Sequence, residues 1–180
     1  ETHSMRHGKT RFCLALLYIA ILTFGCSKNS SSPSGPGGDE YGANIRETKS
    51  REIGADGGVV SLSSGASVVF PADAVSETVE FTVSAVDPAA YFETDGTMGR
   101  VVIQCTGAVT EFDEAVEIRV PLPAGMTEAD SAMVFGGYID ETTGAREMVS
   151  CSVRMIDGAP YGVLPMSHFS SGFMEWLFGT

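Results

Sequence analysis

A chain of 180 residues holds one domain and a tail. With 43% hydrophobic and 19% charged residues it can build a core and is not a generically disordered chain. A net charge of −12, with no basic patch interleaved with aromatics, argues against a nucleic-acid partner and reads first as a solubility device.

From Met5 the pattern is a basic segment (Arg6, Lys9, Arg11) followed by an uncharged run from Phe12 to Phe24, 13 residues long. A spanning helix needs about 20 residues and a signal-peptide core about 7–15, so the run reads as an export signal. It closes on Gly25-Cys26, and Ser27 to Gly38 is rich in Ser, Gly and Pro. This resembles a bacterial lipoprotein signal, in which the cysteine after a small residue receives lipid and becomes the new N-terminus. Thr23 and Phe24 depart from that pattern, which favours Leu three residues before the cysteine and a small residue two before. The resemblance implies lipidation at Cys26; the alternative is an ordinary signal cut nearby. Acyl chains contribute about 0.8 kcal/mol per buried CH₂, so more than one chain anchors stably. Three regions result: residues 1–25 as upstream residues and signal, 26–50 as lipidated cysteine and flexible tether, and 51–180 as the domain.

Within the domain the period is two. Arg51 to Gly54 offers a short leading strand, and Asp56-Gly57-Gly58 turns into Val59 to Ser63. Ser64-Gly65 turns again into Ala66 to Phe70, where Pro71 stops pairing. Then Val79, Phe81, Val83 and Ala85 share one face of a strand from Thr78 to Val86, with Thr78, Glu80, Thr82 and Ser84 on the other. Val101, Ile103 and Cys105 share a face, as do Val116, Ile118, Val120 and Leu122. Thr127 and Asp130 are spaced to cap a single helical turn. Ala132 to Asp140, Glu147 to Met155 and Pro160 to Ser170 read as further strands, with hairpin turns at Thr142-Thr143-Gly144 and Asp157-Gly158. About eight or nine short strands without a long helical pattern predict an all-β, antiparallel β-sandwich.

Four segments carry a family resemblance. They are Val68-Val69-Phe70-Pro71-Ala72-Asp73-Ala74-Val75, Phe112 to Ile118, Tyr138 to Gly144, and His168-Phe169-Ser170. Together they resemble the ZU-five domain, the β-sandwich of ankyrins and netrin receptors, whose like recurs in bacterial surface lipoproteins. Met148 departs from it, standing where an aromatic is common. In some members of that family the bond between Phe and Ser of His-Phe-Ser cleaves itself. The resemblance therefore implies, as one alternative, that Ser170 attacks the Phe169 carbonyl while His168 takes the proton. The other alternative is that Phe169 plugs the core and its neighbours satisfy backbone groups. The duller outcome is expected, because the bond lies near the chain end and Phe173 to Phe178 reads as a closing segment packed on the sandwich.

Cys105 and Cys151 both fall on inward phases of their strands, Cys151 sharing its face with Val149, Val153 and Met155. An exported protein meets oxidising conditions, so the pair is expected to form a disulfide closing a loop of about 45 residues, worth on the order of 4 kcal/mol. Two buried free thiols are the alternative. His168 is the only histidine after residue 7, which leaves no His-rich metal site. The carboxylates Asp87, Glu93, Asp95, Asp113, Glu114, Asp140 and Glu141 cluster in turns and read as solvated charges ahead of a calcium site. No metal or cofactor is expected. The expected function is a non-enzymatic interaction or accessory domain, lipid-anchored to a membrane of the bacterial cell envelope on its periplasmic or outer-membrane face, with a protein or glycan partner. A carbohydrate-binding module using Tyr91-Phe92 or Phe173 to Phe178, and the self-cleaving domain, are the rivals.

Overall fold

The computed structural model describes residues 44–93, 98–109, 111–140, 143–168 and 171–177. Eleven strands run through them: β1 (Ile45–Ile53), β2 (Gly58–Ser61), β3 (Ser67–Phe70), β4 (Val79–Val86), β5 (Met98–Thr106), β6 (Glu111–Pro121), β7 (Val134–Ile139), β8 (Arg146–Val149), β9 (Ser152–Ile156), β10 (Ala159–His168) and β11 (Ser171–Leu177). They form two antiparallel sheets, a six-stranded one in the order β1-β4-β5-β11-β7-β8 and a five-stranded one in the order β2-β3-β6-β10-β9. The fold is an all-β sandwich, as the alternating pattern predicts.

The alternation places the core. Phe81 and Val83 of β4, Ile103 and Cys105 of β5, and Met174 and Trp176 of β11 point inward from the larger sheet. Val68 and Phe70 of β3, Val116, Ile118 and Val120 of β6, and Leu164 and Met166 of β10 meet them from the smaller one. The Phe70 and Phe81 rings pack at 4.5 Å between centroids, tilted by 36°, with Phe112 edge-on to Phe70 at 5.9 Å. Such aromatic pairs add about 0.5–1.5 kcal/mol beyond their buried area. Glycines let the large side chains through: a Cβ on Gly162 would stand 2.0 Å from the Met174 sulfur, and one on Gly99 2.1 Å from the Trp176 ring. The Trp176 indole N–H is buried with no acceptor among the described residues, a cost of about 1–3 kcal/mol.

The turns follow their residues. Asp157 and Gly158 both take positive φ, 51° and 79°, the geometry a two-residue hairpin loop demands. After Pro71, Asp73 adopts φ 61° and its N–H donates to the Ala55 carbonyl at 2.7 Å. Thr127 donates to Asp130 Oδ2 through both its N–H, at 2.7 Å, and its hydroxyl, at 2.9 Å. The resulting 3-10 helix spans Glu128–Met133, longer than the single turn expected.

Three differences from the expected strands have physical causes. First, β1 begins at Ile45 rather than near Arg51, so six residues assigned to the tether are strand. They lack apolar alternation because β1 is an edge strand whose outer face pairs by hydroxyls: Thr48 with Ser84 at 3.0 Å and Ser50 with Thr82 at 2.8 Å. Second, the strand expected over Glu147 to Met155 is two strands. The chain leaves the larger sheet after Val149 and enters the smaller one at Ser152, and Met155, expected inside, is exposed. Third, β11, expected as a closing segment packed on the sandwich, is a central strand, paired with β5 on one side and β7 on the other.

Candidate binding face

The two lateral sides of the sandwich differ. Along one side the edges β1 and β2 lie over each other and are joined by side chains. Glu47, on the inward phase of β1, accepts from the Ser63 N–H at 2.9 and 3.0 Å and from the Ser63 hydroxyl at 2.6 Å. Arg51, two alternations further along β1, donates from Nη1 to the Val59 carbonyl of β2 at 2.8 Å. The Ser63 hydroxyl and then its N–H hold the Glu47 carboxyl below its ordinary pKa. Inward charges on an edge strand are a known guard against stray pairing.

Along the other side β8 and β9 separate. Gly136 of β7 still pairs with Val149 of β8, but beyond that point the ladder ends and the Cys151 thiol donates to the Val134 carbonyl at 3.1 Å. The fork leaves a shallow groove of about 320 Å³ lined by Val134, Phe135, Gly136, Met148, Val149, Ser150 and Cys151. At its rim Phe135 is 39% exposed and Met148 59%, and Leu177 on neighbouring β11 is 41% exposed. All three lie on the outer face of the larger sheet.

That outer face carries its own small core. Val86, Val102, Ile139, Phe173 and Phe92 are packed together there. Phe92 comes from the segment after β4, where Asp87 Oδ1 accepts from the Ala89 N–H at 3.0 Å and starts the 3-10 turn Pro88–Ala90. The Ala89 N–H first, and the Arg46 guanidinium at 2.7 Å second, lower the Asp87 pKa. Two guanidiniums flank the Phe92 ring: Arg100 Cζ lies 5.3 Å from its centroid and Arg146 Cζ 4.4 Å. Arg100 also forms an ion pair with Glu175, both side chains being 14% exposed.

The other predicted residues are placed as follows. Cys105 and Cys151 are free, which corrects the expected disulfide. Cys105 sits on β5, while Cys151 packs against β7, two strands away in the sheet order. It is also displaced along the strands, being near Gly136, which the pairings connect through Met174 to Val101. The separation is therefore about 10 Å across and about 13 Å along, against the roughly 7 Å limit between bridged Cα atoms. Burial pushes the Cys105 thiol up to about 12 and raises Cys151 as well. Neither is a poised nucleophile.

His168 ends β10, with its ring edge-on to Tyr138 at 5.1 Å and Nδ1 at 3.4 Å from the Ser167 hydroxyl. Tyr138 donates its hydroxyl to the Pro165 carbonyl, tying the two sheets together. Burial, and secondarily Glu147, raises the Tyr138 pKa. Phe169 and Ser170, like Cys26, lie outside the described residues. The strand beyond them pairs with β5 on one side and β7 on the other. Among the described residues no three His, Cys, Asp or Glu side chains gather as a metal site, and no helix is long and apolar enough to cross a membrane.

Of the aromatics singled out for a glycan, Phe92 is 6% exposed, Phe173 2% and Trp176 9%, Tyr91 is half-buried, and Phe178 lies outside the described residues. The exposed set Phe135, Met148 and Arg146 was missed. Its only trace in the sequence is Phe135 falling out of phase with Val134 and Tyr138, and Met148 standing where the resembled family carries an aromatic. No protein-family model matches the chain, and no curated protein matches it.

Proposed function

We propose that this chain is a non-enzymatic, membrane-tethered interaction domain of the bacterial cell envelope. In this reading lipid on Cys26 holds it at the periplasmic or outer-membrane face, and a ZU-five-like sandwich presents a binding face to a partner. The observation that carries the reading is the gathering of Phe135, Met148 and Leu177, three of the exposed large apolar side chains, on one end of one sheet face. Contiguous apolar exposure rimmed by polar groups marks interaction surfaces. The N-terminal pattern from Arg6 to Cys26 supports the tether.

Replacing the acceptor cysteine tests the anchor. Cys26→Ser is expected to move the protein from the membrane fraction to the soluble fraction and to abolish labelling with a palmitate analogue. Membrane association unchanged by the substitution contradicts the tether.

A further inference from the structure

The outer face of β7 and β8 holds an arginine that has no acceptor among the described residues. Arg46, Arg51, Arg100, Arg119 and Arg154 each donate to a carboxylate or a carbonyl. Arg146 makes no hydrogen bond or ion pair among the described residues, and its one contact of note is the Phe92 ring. In a chain with 23 acidic and 11 basic residues, an exposed arginine without a carboxylate partner among the described residues is not explained by a shortage of carboxylates. The Phe92 ring holds the guanidinium by a cation–π contact at 4.4 Å, and its N–H groups donate to nothing among the described residues. Such a group has donors to offer a bidentate carboxylate.

Arg146 and Met148 are two residues apart on β8, so they share a face about 7 Å apart. Phe135 and the fork groove adjoin Met148. An extended ligand matching this spacing carries a carboxylate and, two residues away on the same side, an apolar side chain. We infer that the β7–β8 outer face binds an extended acidic–apolar segment of a partner protein, its carboxylate on Arg146 and its apolar side chain between Met148 and Phe135. This rests on the interaction-domain reading and names the partner's chemistry.

A second copy pairing edge to edge through β8 does not supply the carboxylate. Residues opposite each other across two antiparallel strands share a face, and Glu147, next to Arg146, points to the other one. In such a pairing Arg146 meets only Met148, Ser150 or another Arg146.

The test is selection of random twelve-residue peptides displayed on phage against the immobilised full chain, followed by titration of the enriched sequence as a synthetic peptide. The expected result is enrichment of Asp or Glu two positions from Leu, Met, Phe or Tyr. Binding is expected to weaken at least tenfold in Arg146→Gln and with added salt. It should be unchanged in Arg154→Gln, whose cation lies on the smaller sheet, and all three proteins should share one melting curve. Enriched peptides indifferent to Arg146→Gln overturn this inference but leave an interaction domain. Absence of any enrichment overturns both. Binding that appears only when Asp39 and Glu40 are replaced by Asn and Gln assigns the face to the chain's own leading segment. Dimerisation lost in Arg146→Gln assigns it to a second copy. Either outcome overturns the partner inference.

Discussion

The β1–β2 side and the β8–β9 side of this sandwich solve the same problem in opposite ways. On each side both sheets end in an edge strand. On the first side, charges pointing inward from β1 reach across to the backbone of β2 and of Ser63 just beyond it. On the second, the chain itself crosses from one sheet to the other at Ser150-Cys151, a thiol takes the place of a ladder hydrogen bond, and β8 is left as a short edge beside an apolar groove. Sealing an edge takes polar groups that match backbone donors and acceptors, whereas offering a surface takes apolar groups without a cover. The first side has the composition of a seam and the second that of a docking site.

The largest effect belongs to the core that both sides share. Phe81 is fully buried, on the strand that pairs with β1. Phe81→Asp is expected to unfold the domain, because an unpaired carboxylate there costs several kcal/mol against a total of about 5–15. One residue away on the outer face, Glu80 lies opposite Glu52. Glu80→Arg exchanges a like-charge pair for an opposite one and should change stability by less than about 0.5 kcal/mol. Equal effects in urea unfolding would mean that the strand is buried on both faces near its start.

Next come the two thiols, which report the difference between a sealed interior and an open fork. Cys105→Ser puts a hydroxyl into an apolar setting and is expected to cost about 1–3 kcal/mol. Cys151→Ser leaves a hydroxyl able to donate to the Val134 carbonyl and should cost less than about 1 kcal/mol. In the folded protein a thiol reagent is expected to modify Cys151 slowly and Cys105 only on unfolding. A protein with no titratable thiol after denaturation without reductant would mean that the two cysteines are bridged after all.

Much of this was legible in the sequence, and what was not has a common cause. Strict alternation from Val79 to Ala85 and from Val116 to Leu122 marks strands with one face in the core, and Asp157-Gly158 marks its hairpin. Alternation says which face is buried but not which strands are neighbours, so Cys105 and Cys151 looked like partners while standing two strands apart. It also fails where burial is not one-sided. Val86 is buried on the outer face of β4, where Phe92 packs against it, and Ser84 is buried there beside Thr48 of β1. The polar run from Arg46 to Ser50 hid an edge strand that pairs through hydroxyls. The binding face was hidden for the same reason: Phe135, Arg146 and Met148 come together only once β7 pairs with β8, and their alternation there points away from the core.

The contrast between the two sides is tested most directly by residue-resolved amide hydrogen exchange on the full chain, corrected for intrinsic rates. At neutral pH the Ser63 amide is expected to be protected, and the β8 amides that face away from β7 to exchange freely. Glu47→Ala is expected to remove the Ser63 protection and leave β8 unchanged. The sign with pH follows from the lowered Glu47 pKa: protection is fully present above the ordinary carboxylate value of 4.5 and is lost as pH falls below it through the folded-state pKa. β8 amides as well protected as Ser63 in the free protein, or a Ser63 amide indifferent to Glu47→Ala, would contradict a sandwich sealed on one side and open on the other.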